Sequence, residues 1–217
     1  MFFSPFDIFM IPALIVTIWS QWKLRSTYAR YAEVESTAHL SGAEVAREIL
    51  DQEGLQDVPV REVEGELSDH YDPRTRIVHL SSAIYHGTSL AALGVAAHEC
   101  GHAIQHKVAY APLHLRMAII PLTHFASGAA PLLVLGGFLV PAAFKTLLDL
   151  AILLFSVAVF FQLVTLPVEY NASQRAKERL AGMGVVTASE AVGVRKVLNA
   201  AALTYVAALV VAVLQLL

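Results

Sequence analysis

Four apolar segments constrain this chain more than any other feature of its sequence. Each approaches the roughly 20 residues that an α-helix needs to cross the hydrocarbon core of a bilayer. They comprise residues 2–22, 117–140, 146–167 and 201–217. The chain is 56% hydrophobic and only 15% charged, which is more apolar than soluble domains are. We therefore predict a mainly α-helical membrane protein with about four transmembrane helices.

Basic residues are distributed unevenly among the segments that connect these spans. Of the 15 lysines and arginines, only Lys145 lies between the second and third spans. The others lie in residues 23–116 and 168–199, several of them close to the ends of spans. Because short cytoplasmic connections are rich in Lys and Arg, both segments are expected to be cytoplasmic and both termini to lie outside.

This orientation divides the chain into five parts. Residues 1–22 form a transmembrane anchor, 23–116 a cytoplasmic insert, 117–167 a transmembrane helical hairpin, 168–199 a second cytoplasmic segment and 200–217 a last transmembrane helix. The lipid bilayer is an expected partner. The net charge of −3 provides no basic field, so nucleic acid is not expected to bind.

The insert has the pattern of a small α+β unit. Residues 40–55 are amphipathic with helical spacing, and Ser41 with Glu44 three residues later predicts a capping box. Residues 58–65 alternate as a strand does, and residues 66–81 have the pattern of a hairpin. We therefore expect one helix followed by a small sheet.

A second helix is predicted over residues 87–108 of the insert. Its alanine content favours the helix, which is expected to begin near Thr88 or Ser89. Gly94 and Gly101 lie within it and indicate close packing against another helix.

This helix carries the stretch AAHECGHAIQHKV, residues 96–108. His98 and His102 lie four residues apart, so both project from one face and can bind a single zinc ion. Glu99 lies beside them, where it can accept a proton from water. This arrangement is the HExxH motif of zinc peptidases. Cys100 occupies a free position of the motif and is expected to be a small packing residue.

A catalytic zinc site needs at least one more protein ligand. His106 has the right spacing from His102, but eight residues of straight helix separate it from His98 by about 12 Å, too far for one ion. Glu169 follows the third span on the cytoplasmic side and is the preferred candidate, with three acidic competitors: Asp69, Asp72 and Glu178.

These two regions together resemble a known family. The stretch RIVHLSSAIYHGTSLAALGVAAHECGHAIQH, followed after two spans by TLPVEYNASQRAKERL, is similar to the YugP-type neutral zinc metallopeptidases of bacteria. The HtpX and CAAX-prenyl membrane proteases are more distant in resemblance. The resemblance covers nearly the whole chain. It implies a multi-pass protein of the bacterial inner membrane, with a gluzincin-like active site on the cytoplasmic side and a protein or peptide as substrate.

The resemblance also implies roles for particular residues. His98 and His102 match the two histidine ligands, Glu169 the third ligand, and Glu99 the catalytic glutamate. The chain differs from the distant relatives at Ser173, where they usually have aspartate. The residue that orients the ligands is therefore open among Ser173, Asn171 and Arg175.

The expected reaction is hydrolysis of a peptide bond by zinc-activated water, with Glu99 as general base and then acid. The oxyanion needs a further donor, and the sequence does not choose among His70, Tyr71, His79, His86 and Arg175. The segment RIVHLS, residues 76–81, is expected to bind an extended substrate by strand addition, as family analogy suggests.

Two other functions fit parts of the pattern. A site-2-type intramembrane protease combines HExxH with a later aspartate in a transmembrane helix, and Asp149 in the third span superficially fits that role. The predicted orientation places Asp149 across the bilayer from His98, which argues against it. The third possibility is a non-catalytic membrane protein that binds zinc structurally, but Glu99 would then have no role.

Overall fold

The computed structural model describes residues 5–216 and is mainly helical. Seven α-helices and three strands follow one another in these residues. Their bounds are α1 Pro5–Ala32, α2 Gly42–Gln52, β1 Val60–Val63, β2 His70–Asp72, β3 Ile77–Ser81, α3 Ser82–Tyr85, α4 Leu90–Lys107, α5 Ala111–Leu139, α6 Phe144–Gly182 and α7 Ala188–Leu216, with a 3₁₀ turn at Pro141–Ala143 before α6.

Three helical segments are long and apolar enough to cross a membrane: Ala111–Leu139, Pro141–Gly182 and Ala188–Leu216. They match the second, third and fourth predicted spans, apart from the last residue of the second and of the fourth. The predicted first span, residues 2–22, begins outside the described residues, and α1 is not among these three. Within the described part of the chain the structure thus supports three candidate spans, where the sequence predicted about four.

The chain divides into two compact units. The first comprises the residues up to Trp19, Ala111–Pro167 and the residues from Tyr205 onward. Large apolar side chains of this unit are exposed, among them Phe138 at 68% and Leu139 at 74%. Such side chains are suited to contact with lipid, since water-exposed apolar patches of this kind are uncommon in soluble proteins.

The second unit comprises Ser20–Tyr110 and Val168–Thr204 and contains the predicted α+β elements. Helix α2 begins with the predicted capping box: the Ser41 hydroxyl accepts from the Glu44 N–H, and the Glu44 carboxylate accepts from the Ser41 N–H. Helix α4 begins after Ser89, whose hydroxyl accepts from the N–H of Ala92. Both helix starts confirm the sequence prediction.

The sheet has the strand order β1-β3-β2, with β1 parallel and β2 antiparallel to β3. The predicted hairpin is therefore present as β2 and β3. The prediction that RIVHLS binds substrate by strand addition is wrong, because β3 is the central strand and β1 and β2 occupy its two edges. Directly before β2, the Asp69 carboxylate accepts from the N–H of Ser81, the last residue of β3, at 2.7 Å.

Helix α4 is the centre of this unit. It packs against α2, α3 and the sheet, and its apolar side chains share a core with Ile49 of α2, Val78 and Leu80 of β3, and Leu180 of α6, all of which are 0% exposed. Burial of this kind contributes about 25 cal/mol per Å² of apolar surface. The core therefore holds the motif helix on several sides.

Candidate metal centre

His98 and His102 lie one turn apart on α4, as four-residue spacing on a helix requires. Their ring centroids are 4.8 Å apart and the rings are nearly perpendicular. The side chains are only 13% and 12% exposed. Two imidazoles thus share one small, largely desolvated site.

A close approach between α4 and α6 brings the third group to this site. A Cβ atom at Gly101 would lie 2.6 Å from the carbonyl oxygen of Ala172 in α6, so only glycine allows the backbones to come this near. Gly94 differs, since its Cβ would lie 3.4 Å from the Val194 side chain. The predicted packing role is confirmed for Gly101, and Gly94 is at ordinary contact distance.

Glu169 of α6 projects toward both imidazoles. Its side chain is 2% exposed, and Oε2 lies 3.2 Å from Nε2 of His98 and 3.6 Å from Nε2 of His102. One nitrogen from each histidine and one oxygen of Glu169 lie within 4.8 Å of one another. A buried carboxylate needs a compensating partner, and here the two imidazoles are among the groups that face it.

The Nδ1 atoms of the two histidines are hydrogen-bonded on the other side of each ring. Nδ1 of His98 lies 3.2 Å from the Ser173 hydroxyl. Nδ1 of His102 lies 3.0 Å from Oε1 of Gln105. Since an amide oxygen only accepts, Nδ1 of His102 carries a hydrogen, and Nε2 is the ring nitrogen that faces Glu169.

Gln105 is itself held in one orientation by α6. It is 0% exposed, and its Nε2 donates to the Val168 carbonyl at 2.7 Å and to Oδ1 of Asn171 at 3.0 Å. The same Oδ1 accepts from Nε of Arg175 at 2.8 Å. Because the arginine only donates, it fixes which atom of Asn171 faces Gln105.

This network answers part of the question that the sequence left open. Ser173 contacts His98 directly, whereas Asn171 and Arg175 reach His102 through Gln105. Gln105 was missed by the sequence reasoning. Its position three residues after His102, on the same helical face, was the available signal.

Burial and charge act in opposite directions on the pKa of His102. Desolvation lowers this pKa, but the hydrogen bond and negative charge of Glu169, together with the charge of Glu99, raise it above its ordinary value.

Cys100 lies between the two histidines in the sequence, and burial raises the pKa of its thiol. That thiol is 0% exposed and directed at the Ala46 carbonyl, which confirms the predicted packing role.

Glu99 projects from α4 beside the histidines and is 8% exposed. Its Oε2 accepts from the N–H of Tyr71 in β2 at 2.9 Å. The hydroxyl of Tyr71 contacts Nδ1 of His106 at 2.9 Å. His106 is thus engaged by β2 and, as predicted, is not in the three-residue group.

The chain matches the family model described as "Putative neutral zinc metallopeptidase" over residues 6–217. It belongs to this family. It is also 53% identical over 207 residues to the "Putative membrane protease YugP" of Bacillus subtilis (strain 168), covering 95% of this chain and 91% of that protein. No solved structure matches.

The three other acidic residues that the sequence offered as a third metal ligand form hydrogen bonds away from the two histidines. Asp69 accepts from Ser81, and Asp72 accepts from the N–H of Arg74 in the turn of the hairpin. Glu178 accepts from the Gln174 amide on the exposed side of α6. Among the described residues, none of the three belongs to the group that could hold a metal ion.

The predicted substrate-binding residues are not gathered into one cluster. His70 and His79 stack on the sheet with centroids 4.7 Å apart, and His86 pairs with Glu62 at 3.2 Å. The N–H of Tyr71 donates to Glu99, and Arg175 donates to Asn171, which connects it to His102 through Gln105. Their roles toward substrate stay predictions.

Proposed function

We propose that this protein is a membrane-embedded zinc metalloendopeptidase that hydrolyses peptide bonds of membrane or membrane-proximal proteins at the cytoplasmic face of the bacterial inner membrane. One observation carries the proposal: His98, His102 and Glu169 offer three ligand atoms within 4.8 Å of one another. The two histidines lie on the same helix as Glu99, the buried glutamate of the HExxH motif. Family membership and the relative named as a membrane protease support it.

The donor set fits zinc. Two imidazole nitrogens and one carboxylate oxygen form the combination that catalytic zinc sites use, and three protein ligands leave a position for water or substrate. Both Nδ1 atoms are hydrogen-bonded, as is typical of metal-binding histidines. A bound zinc ion would lower the pKa of water and polarise a carbonyl group.

The burial and hydrogen bonding of Glu99 support its proposed role in proton transfer. It follows His98 directly, and its carboxylate is buried and hydrogen-bonded to one backbone N–H, which leaves further lone pairs to accept a proton. In the proposed reaction Glu99 takes a proton from the attacking water and transfers it to the leaving amine. Tyr71 orients the carboxylate through its N–H.

The proposed orientation rests on charge. Every lysine and arginine except Lys145 lies in residues 23–116 or 168–199, and such an excess is typical of cytoplasmic segments. His98 and His102 lie in the first of these segments and Glu169 in the second. The proposal therefore places all three ligands in one compartment.

Neither alternative gains support. The site-2-type hypothesis requires Asp149 as a ligand, but Asp149 is exposed and pairs with Lys145 at 2.8 Å. It is not in the metal-binding group formed among the described residues. The non-catalytic hypothesis gives Glu99 only a structural role, the hydrogen bond from the Tyr71 N–H, and does not account for the HExxH spacing.

The decisive experiment compares Glu99→Gln with the wild type in purified, detergent-solubilised protein. We expect the variant to retain zinc, since Glu99 is not a ligand, and to cleave an unstructured protein substrate at least about 100-fold more slowly, which is typical for loss of a general base. Glu178→Gln, on the exposed side of α6, is the matched control. Normal cleavage by Glu99→Gln would refute the mechanism.

A further inference from the structure

A cavity of about 570 Å³ lies between α1 and α7, within the second unit and apart from the metal centre. The two helices meet closely beside it, since a Cβ at Gly193 of α7 would lie 2.9 Å from the Tyr31 ring of α1. Three basic side chains line the cavity, Lys23 and Arg30 from α1 and Lys196 from α7, and no acidic side chain does.

These three cations have no carboxylate partner among the described residues. Some other basic side chains of the described residues are paired, as in Arg47 with Asp51 and Arg179 with Glu53. Like charges that line one cavity repel one another. Their arrangement is therefore suited to an anion that neutralises them together.

Uncharged donors complete the polar part of the lining. Thr27 of α1 and Asn199 of α7 contribute a hydroxyl and an amide, whereas the Ser26 hydroxyl, also in the lining, donates to the Lys23 carbonyl at 3.2 Å. A phosphate group has several acceptor oxygens and matches a set of cationic and neutral donors. The chemistry of the lining thus favours a phosphate over a simple halide ion.

The cavity also has an apolar side. Trp22, which is 62% exposed, and Leu203 line it together with the polar groups. Both helices change from uncharged to charged sequence at this level. Residues 8–22 contain no charged residue and Lys23 follows them, and Lys196 is the last charged residue of the sequence. Tryptophan and basic residues at the end of an apolar stretch are typical of the headgroup level of a bilayer.

We propose that this cavity binds the phosphate of an anionic phospholipid, with the acyl chains extending along Trp22 and Leu203. The basic residues select the headgroup by charge, and the apolar lining distinguishes a lipid from free phosphate. This site is independent of the metal centre and of any peptidase activity.

Tryptophan fluorescence gives a direct test, because the chain has only two tryptophans. In a Trp19→Phe background Trp22 is the remaining tryptophan, which can be excited at wavelengths longer than those that the seven tyrosines absorb. The full-length protein is placed in phosphatidylcholine nanodiscs that contain increasing fractions of phosphatidylglycerol with brominated acyl chains. A second titration replaces the brominated phosphatidylglycerol with brominated phosphatidylcholine, a lipid without net charge. We expect phosphatidylglycerol to quench Trp22 at much lower fractions than phosphatidylcholine does.

The variant that tests the cavity is Lys23→Gln/Arg30→Gln/Lys196→Gln. Each basic residue near an anionic lipid contributes about a fivefold gain in affinity, so the triple variant should lose most of the preference for phosphatidylglycerol. The matched control is Arg25→Gln/Arg74→Gln/Arg195→Gln, which removes the same charge from exposed positions that do not line the cavity. It should keep the preference.

Several outcomes would overturn the proposal. The first is equal quenching by both lipids in the Trp19→Phe protein, which requires no further variant to fold. A preference for phosphatidylglycerol that survives in the cavity variant would show that these three residues do not bind it. A preference lost equally in the control variant would show that it depends on the total positive charge and not on the cavity. Displacement of phosphatidylglycerol by excess inorganic phosphate would assign the cavity to a soluble anion.

Discussion

Helices α4 and α6 contribute to the same candidate metal centre in different ways. Helix α4 provides His98, Glu99 and His102 within five consecutive residues, so helical geometry alone puts the two imidazoles on one face. Helix α6 provides Glu169, which is 71 residues from His98, and reaches the site only when the chain is folded. One half of the site is local and the other half is tertiary.

This difference has a consequence for how the site is stabilised. The local half needs only an intact α4, which the core of the second unit holds. The tertiary half depends on the contacts between α4 and α6 at Gly101, Gln105 and Ser173. Substitutions at these three positions should weaken the contact between α4 and α6 while leaving α4 itself intact. Their effects on the metal centre should decrease in the order Gly101, Gln105, Ser173.

Gly101→Ala should have the largest effect. Its Cβ would overlap the Ala172 carbonyl oxygen at 2.6 Å, and a backbone atom cannot move aside without displacing α6. We expect a loss of about 1–3 kcal/mol in the free energy of unfolding and a clear loss of zinc affinity. Denaturant titration and chelator competition in detergent measure these quantities.

Gly94→Ala is the matched control for that change. It adds the same methyl group to the same helix, but at 3.4 Å from a valine side chain that can adjust. Stability should not fall, since helix propensity favours alanine by about 1 kcal/mol, which offsets a small adjustment of the Val194 side chain. Equal damage by both substitutions would show that the contact with Ala172 has no special importance.

Gln105→Leu should have the second-largest effect. It removes the acceptor for Nδ1 of His102 and leaves the buried Val168 carbonyl without this donor. We expect zinc affinity to fall about 10- to 100-fold, as for other residues that orient metal-binding histidines. Gln174→Leu, an exposed glutamine of α6, should leave zinc affinity unchanged. If both variants bind zinc as the wild type does, Gln105 does not orient His102.

Ser173→Ala should have the smallest effect of the three. Among the described residues the hydroxyl has one hydrogen-bond partner, Nδ1 of His98 at 3.2 Å, so its loss removes a single contact. We expect a decrease in zinc affinity at the lower end of the same range, about tenfold. Ser173→Asp should restore an acceptor at this position and retain more zinc than Ser173→Ala. The reverse ranking would contradict the orienting role.

The extent to which sequence predicted the fold follows the same division. The capping box at Ser41, the hairpin and the start of α4 at Ser89 were predicted because each is fixed by residues close together in the chain. The strand order was not predictable in this way. Parallel pairing of β1 with β3 depends on a crossover, and it makes β3 central.

The candidate site was predictable to a similar degree. The HExxH spacing alone indicated His98 and His102 as metal ligands. Glu169 was preferred over other acidic residues chiefly through the family resemblance. The spacing of Gln105 from His102 was a weak signal, because its importance comes from contacts with Val168 and Asn171 of another helix. Long-range hydrogen bonds of this kind leave no periodic pattern in the sequence.

Zinc content is the most direct measurement of the central claim that α4 and α6 hold one metal ion together. Purified wild type and Glu169→Ala are compared by elemental analysis, with Glu178→Ala as the control for loss of an acidic residue from α6. We predict a full equivalent of zinc in the wild type and in Glu178→Ala, and a large loss in Glu169→Ala. A wild type without zinc, or a Glu169→Ala variant that retains it fully, would contradict the account.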